Sequence, residues 1–456
     1  MNHKFKKLLL VIGDVVILYA SLYITLYLRY SQRPNLELWQ QHLMPFSIIF
    51  IFWLIIFYIS ELYDFNFAIN NRRFYRLSLR SFLAGGLIST LFFYLIPGIN
   101  INPKTNLLLF VIDFAVLFIA WRHFFNWSLK AYLPKEIIAI IGYNLQVKIL
   151  MEELIHKPHL GYTIPFVLIP DKTSDVKYLD KNNITVYKDV NDLKEMIIKN
   201  RISTLVLACD PIKSEKLSSV LFSCLPLKIN YINLHHFYEN LTGKVPVDII
   251  NKMWFLENLS EGEKRVYEII KRVFDVSFAL FVLIISFPLW IIFGIIIKIR
   301  SRGEIIFKQE RVGKNGKKFI IFKFRTMKKS SNSNPTENDD SRITRFGSLL
   351  RKSRLDELPQ MINVIKGNMS FVGIRPEQPV LVSKLEKQIP FYNERTLVKP
   401  GITGWDQVSG IYHSPSYEDT LEKLQYDLFY IKNRSFYLDL SIVLKTIKTV
   451  LSKSGR

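Results

Sequence analysis

The sequence predicts a multi-domain membrane protein. Its expected parts are an N-terminal four-helix transmembrane bundle over 1–130, a Rossmann-like α/β middle domain over 135–258, and a mostly α C-terminal domain over 265–456 with a re-entrant membrane helix at 272–298. Three observations predict this. Four long apolar runs fill the first 121 residues, short apolar runs then alternate with helical patterns between 137 and 232, and a fifth apolar run with basic flanks is interrupted by a proline. A chain of 456 residues suits about three domains. A hydrophobic content of 49% and a mean hydropathy of +0.15 are high for a soluble chain.

The runs 8–28, 45–62, 82–99 and 106–121 approach or meet the ~20 residues that a bilayer-spanning helix needs. The first is too long for a signal-peptide core, and no small-residue cleavage site follows it. Asp14 and Asp113 fall inside spans and are expected to face neighbouring helices. Arg72, Arg73, Arg76 and Arg80 lie between the second and third runs, Arg122, Lys130 and Lys135 follow the fourth, and the 97–105 link has only Lys104. The positive-inside rule then places the N-terminus and everything after the fourth span in the cytoplasm. The net charge of +22 points to cytoplasmic loops and to anionic membrane lipid as a partner. No nucleic-acid partner is expected, because no binding motif accompanies the charge. Cys209 and Cys224 show neither a disulfide nor a metal spacing and read as free thiols.

From residue 137 the pattern changes. Strand-like runs at 137–141, 163–169, 204–208 and 228–232 alternate with helical stretches ending near 154 and at 190–199 and 214–222, which argues for a small parallel sheet. The turn Gly142-Tyr143-Asn144 stands where a dinucleotide fingerprint would begin, but the later glycines are missing. The domain reads as a scaffold, oligomerisation or regulatory module, with a homodimer through it as an expected partner.

The fifth apolar run, 278–297, follows Lys271, Arg272 and Asp275 and precedes Lys298, Arg300 and Arg302. Ser286-Phe287-Pro288 interrupts it, and a proline removes a helical hydrogen bond. A helix-break-helix dipping into the cytoplasmic leaflet is favoured over a fifth span, which would carry one basic flank and the rest of the chain outside. Beyond it, 304–307 and 318–324 read as strands around a turn at Gly313-Lys314-Asn315-Gly316, and 328–340 as a mobile loop. The stretch 435–451 suits an amphipathic helix on the membrane or an ordinary core helix equally well.

Residues 351–376 hold the candidate chemistry. Asp356 and Glu357 are adjacent, with Arg351, Arg354 and Arg375 around them and Gly373 and Pro376 framing the last arginine. Paired carboxylates can hold a divalent cation, and guanidinium forks match phosphate oxygens. A lone Asp-Glu ahead of an apolar run is more often a helix cap or first turn, here with Pro359 in that turn. The basic stretches at 322–327 and 399–405, in the same domain and beside a membrane segment, tip the balance to chemistry.

In this order along the chain stand Lys271-Arg272-Val273-Phe274-Asp275, Gln309-Glu310-Arg311-Val312-Gly313, Lys323-Phe324-Arg325-Thr326-Met327, Leu355-Asp356-Glu357-Leu358-Pro359-Gln360, Asn363-Val364-Ile365-Lys366-Gly367, Met369-Ser370-Phe371-Val372-Gly373 and Pro400-Gly401-Ile402-Thr403-Gly404-Trp405. On these pieces, 271–455 resembles the catalytic domain of bacterial polyprenyl-phosphate sugar phosphotransferases, the monotopic phosphoglycosyl transferases. The spans and the α/β domain resemble the large form of that family. The resemblance implies an enzyme of the bacterial inner membrane that starts exopolysaccharide, capsule or O-antigen units. It would move a sugar-1-phosphate from a nucleotide diphosphate sugar, UDP-linked as a rule, to undecaprenyl phosphate and release UMP. Asp356 matches the family nucleophile, and Glu357 the carboxylate that helps hold Mg²⁺. Lys323, Arg325, Arg351, Arg375 and Pro376 match the substrate-phosphate region. Lys271, Arg272, Asp275, Ser286 and Pro288 match the re-entrant helix. Phe287 separates a serine and proline that are usually adjacent, Ile374 stands where proline is usual, and Asp406 and Ser409 replace Ala and Asn.

Overall fold

The computed structural model describes residues 3–63, 71–96, 103–132, 136–156, 161–170, 184–259, 264–300, 303–328, 342–409 and 416–451. Lys135, Arg302, most of the 97–105 link and the expected loop after Lys328 lie outside these residues. The chain forms two compact units, Met1–Leu234 and His235–Arg456.

The first unit opens with four long helices, α1 (His3–Tyr30), α2 (Leu36–Ile59), α3 (Arg72–Leu95) and α4 (Pro103–Tyr132). All four are long and apolar enough to cross a membrane. The four arginines expected in a link instead begin α3, whose N-cap Asn71 accepts from the Phe74 N–H. The bundle core is aromatic: Phe46, Trp53, Phe57, Phe110, Phe114 and Phe118 interlock. Asp14 and Asp113 face neighbouring helices, as expected. Arg122 donates to Asp14 Oδ2 at 2.7 Å, and Thr25 to Asp113 Oδ2 at 2.8 Å.

An α/β sandwich follows: β1 (Glu136–Ile141), α5 (Leu145–His156), β2 (Tyr162–Thr163), β3 (Phe166–Leu168), β4 (Thr185–Tyr187), α6 (Leu193–Lys199), β5 (Thr204–Leu207), α7 (Glu215–Ser223) and β6 (Asn230–Asn233). The strands pair in parallel in the order β4-β3-β1-β5-β6, with β2 also on β1. Gly142 takes φ +93° at the end of β1, where Cys209 backbone packs against it. The Asn144 side chain accepts from Val147 N at 2.9 Å, so a residue of the chain caps α5 where a dinucleotide phosphate would dock.

The second unit begins earlier than the pattern predicts. Helices α8 (Leu234–Thr242) and α9 (Lys252–Asn258) lie in the stretch assigned by sequence to the α/β domain. Val245, Val247, Ile250 and Trp254 instead join the core of the C-terminal unit with Val372, Leu424 and Tyr430. The backbone bond from Val245 N to Gln425 O, 3.0 Å, fixes this.

Helix α10 (Arg265–Arg300) follows as one continuous helix with Pro288 inside it, so no loop interrupts it at Ser286. The proline removes its own N–H from the ladder, and its ring crowds the carbonyl four residues back. Trp290 Nε1 donates to Ser286 Oγ at 3.2 Å and bridges the affected turn. Next come the antiparallel hairpin β7 (Ile306–Val312) and β8 (Lys318–Phe324), then α11 (Arg345–Lys352), α12 (Gln360–Lys366) and β9 (Ser370–Val372). The chain ends with α13 (Pro379–Leu385), β10 (Gly401–Thr403), α14 (Trp405–Ser409), α15 (Tyr417–Asn433) and α16 (Phe436–Leu451). Strands β9 and β10 pair in parallel.

Candidate active site

Asp356 and Glu357 sit on a single 3-10 turn, Leu355–Glu357, between α11 and α12. They cap neither helix. Arg354 before them is left-handed, φ 55°, and reverses the chain so that both carboxyls turn inward. Pro359 is the N-cap residue of α12. Each carboxylate residue is only 8% exposed.

Three tethers bring cations to this turn. Asn363 of α12 donates to Ile320 O at 2.6 Å and accepts from Phe322 N at 3.1 Å, which sets β8 beside the turn. Lys323 Nζ then reaches Glu357 Oε1 at 3.0 Å. Gly347 lets α11 cross directly over Thr326, whose carbonyl would lie 2.0 Å from an added Cβ. That crossing puts Arg351 Nε 2.9 Å from Thr326 Oγ1. Arg375 Nη2 lies 3.6 Å from the same Glu357 oxygen.

Position separates the two carboxyls. Burial and the charge of Glu357 push Asp356 up to about 6, against the opposing pull of Lys323, Arg351 and Arg375. Burial also acts to raise Glu357, but Lys323, Arg375 and Arg354 outweigh it and hold that group at about 2. Glu357 is therefore a fixed anion, and Asp356 is a carboxyl near its titration point. Among the described residues no group of three or more His, Cys, Asp or Glu could hold a metal ion, so these two carboxylates are the acidic ligands available here.

The remaining expected residues divide. Arg325 does not join the carboxylates: its guanidinium lies against Gly303, within 1.6 Å of where a Cβ would stand. It lies just past the end of β8, which stops at Phe324. Pro376 is buried, and its carbonyl accepts from Arg311 Nη1 at 3.2 Å. The α10 residues are structural neighbours of the site. Lys271 meets Asp439 Oδ2 at 2.5 Å, Arg272 donates to the Val364 and Ile365 carbonyls at 2.6 and 2.7 Å, and Asp275 accepts from Phe371 N at 2.9 Å. Ser286 and Pro288 lie in the next turns of the same helix.

Sequence reasoning missed the frame behind Arg375. Arg395 donates to the Arg375 carbonyl at 3.3 Å and to Asp427 Oδ2 at 2.7 Å, and the Arg395 and Asp427 side chains are nearly inaccessible. Glu377 pairs with Lys423 and lies 3.8 Å from Arg311. Arg311 was visible only as part of a motif, and Asp427 lies 52 positions beyond Arg375, so no local spacing links them.

Comparison with known proteins supplies the family. Residues 266–453 match the bacterial sugar transferase family. A UDP-N-acetylgalactosamine-undecaprenyl-phosphate N-acetylgalactosaminephosphotransferase of Aeromonas hydrophila is 39% identical over 51% of this chain and 55% of its own length. The chain thus spans about half of that relative. A UDP-glucose:undecaprenyl-phosphate glucose-1-phosphate transferase of Escherichia coli (strain K12) is 32% identical over 71% of this chain and 69% of its own. An exopolysaccharide production protein of Rhizobium leguminosarum bv. phaseoli is 34% identical over 41% of this chain and 96% of its own. With its motifs gathered around one buried acidic turn, the chain belongs to the bacterial sugar transferase family.

Proposed function

We propose that the protein transfers a sugar-1-phosphate from a UDP-linked sugar to undecaprenyl phosphate, through a covalent intermediate on Asp356. The observation that carries this reading is the division of labour on the acidic turn. A buried carboxyl near pH 6 stands beside a permanently ionised one and is ringed by Lys323, Arg351 and Arg375. An isolated helix cap needs no such ring. The names of the Aeromonas and Escherichia relatives supply the donor and acceptor classes.

In the first step an Asp356 oxygen attacks the sugar-proximal phosphorus. The bond from that phosphorus to the bridging oxygen breaks, and UMP leaves with the electron pair. In the second step a phosphate oxygen of undecaprenyl phosphate attacks the same phosphorus and expels the Asp356 carboxylate. Splitting the transfer in two suits a soluble donor and a lipid acceptor that need not bind together. Arg351 and Arg375 offer guanidinium forks to the phosphate oxygens, and Lys323 adds a point charge. The donor set fits Mg²⁺, which takes one or two carboxylates and completes its shell with substrate phosphates. Glu357, with Asp356 beside it, would hold the ion, which when bound would offset negative charge on the diphosphate.

We also infer that α10, bent at Pro288, dips into the membrane and keeps both its ends on the same side, with the N-terminus and the C-terminal unit in the cytoplasm of a bacterial inner membrane. Support comes from packing on either side of Pro288. Ala279 shares a cluster with Ile321, and Phe293 and Ile297 share one with Phe324, only three residues along β8. Between these contacts Ile284, Ile285, Phe287, Ile291 and Ile292 are exposed, which suits lipid.

The test is UMP release from a panel of UDP-sugars with undecaprenyl phosphate. Asp356→Asn should lose activity by on the order of 10³-fold or more. Wild-type enzyme quenched with labelled donor should carry the label on the Asp356 peptide. Turnover near wild type in the variant would sink the assignment.

A further inference from the structure

A second cleft in the C-terminal unit lies away from the acidic turn. It is a narrow cleft open to solvent, lined by Lys271, Arg272 and Asp275 of α10, Ser370 of β9, Lys399 and Arg434. Most of its cations are engaged. Lys271 is neutralised by Asp439 at 2.5 Å, Arg272 donates to two helix-end carbonyls, and Arg434 Nε reaches Glu268 Oε1 at 3.3 Å.

Lys399 differs. It is half-buried, and among the described residues its ammonium has no hydrogen-bond or ion-pair partner. Burial and the nearby Arg272 push it below the ordinary lysine range, as befits a cation short of an anion. With Lys271 neutralised, Arg272, Lys399 and Arg434 face Glu268 and Asp275. One positive charge is left over, which matches a singly charged phosphodiester better than a dianion.

The surroundings are apolar on the outside. The turns of α10 that line the cleft also expose Val266, Ile269, Ile270 and Val273. At the start of α16, Phe436 and Tyr437 are exposed, and the Phe436 ring meets Phe274 edge-on at 6.0 Å. A polar cleft rimmed by exposed apolar side chains on a membrane-associated helix presents cations at headgroup depth.

We propose that this cleft binds the phosphodiester headgroup of an anionic membrane phospholipid, with Lys399 Nζ as the principal donor. Binding here also bears on the catalytic loop. The Lys399 carbonyl lies 2.5 Å from where a Cβ on Gly373 would stand, two residues before Arg375. The proposal does not rest on the transfer reaction, since binding is read without a sugar donor.

The experiment is thermal unfolding of the full chain in neutral detergent micelles, with dioleoylphosphatidylglycerol, dioleoylphosphatidylcholine, undecaprenyl phosphate or inorganic phosphate added. Phosphatidylglycerol should raise the wild-type midpoint by a few degrees beyond phosphatidylcholine, because a ligand of the folded state stabilises it. Lys399→Ala should lose at least half of that shift. Lys399→Arg, which keeps the charge, and Lys387→Ala, on the exposed turn after α13, should keep it. An equal shift in Lys399→Ala would overturn the site. So would a Lys399-dependent shift given by undecaprenyl phosphate or inorganic phosphate and not by phosphatidylglycerol, because the cleft would then belong to the acceptor or to a soluble anion.

Discussion

Two adjacent carboxylates shift in opposite directions from their ordinary values because burial dominates at Asp356 while only Glu357 touches the cations. Glu357 takes Lys323 at 3.0 Å and Arg375 at 3.6 Å, and its own charge then disfavours ionisation of Asp356. In the proposed transfer, attack on phosphorus would need the ionised form of Asp356. Activity should therefore be full well above pH 6 and fall about tenfold per unit below it, with that limb read from a kcat profile. Lys323→Met removes a cation that lowers both groups, so the acid limb should move to higher pH. Stability runs the other way. Because folding raises the Asp356 pKa from 3.8 to about 6, its contribution is present below pH 3.8 and is lost as pH rises through 6. Asp356→Asn, neutral throughout, should unfold at pH 7.5 no earlier than wild type. A calorimetric scan of the variant would thus separate lost chemistry from lost fold.

At the scale of elements, the site depends on a strand pair and the loop that leaves it. Strands β9 and β10 are three residues each, and Gly373 continues their pairing through its N–H to Thr403 O at 2.8 Å. A Cβ at Gly373 would meet the Lys399 carbonyl at 2.5 Å and Gly401 N at 2.8 Å, both backbone atoms that cannot swing aside. Gly373→Ala should cost about 1–3 kcal/mol and displace Arg375, seen as a lower melting temperature together with a raised KM for the donor. Ile374, in place of the usual proline, points to a looser loop when read from sequence. In the structure Arg311 and Arg395 bond the Pro376 and Arg375 carbonyls and hold that loop from behind. Arg395→Met would leave Asp427 buried without its partner, at a cost of about 3–5 kcal/mol.

Across the whole molecule, the division at Leu234 tells where the catalytic unit can be cut. A chain starting at His235 keeps Val245, Val247 and Trp254 in the C-terminal core and is expected to fold and release UMP in detergent. A chain starting at Arg265 loses those side chains, and its melting transition should fall or vanish. Cysteines placed at Arg265 and Arg300, the two ends of α10, should be labelled from one side of the membrane only. Labelling of one end from each side would make α10 a span.

Much of this was legible in the chain itself. Long apolar runs became α1 to α4, because a helix satisfies its own backbone in lipid and needs only length and hydropathy. Short apolar runs between turns became the parallel strands, and the adjacent Asp356 and Glu357 became one buried turn. Each of these signals is local, a periodicity or a pair within a few residues. Tertiary structure alone decided the rest. It took 235–258 from the α/β domain into the C-terminal unit, set the Arg325 guanidinium against Gly303, and set Arg395 and Asp427 behind Arg375. It also separated the two acidic pKa values. Burial and Coulomb interaction depend on distances between groups far apart along the chain, and no sequence spacing encodes those distances until the chain has folded.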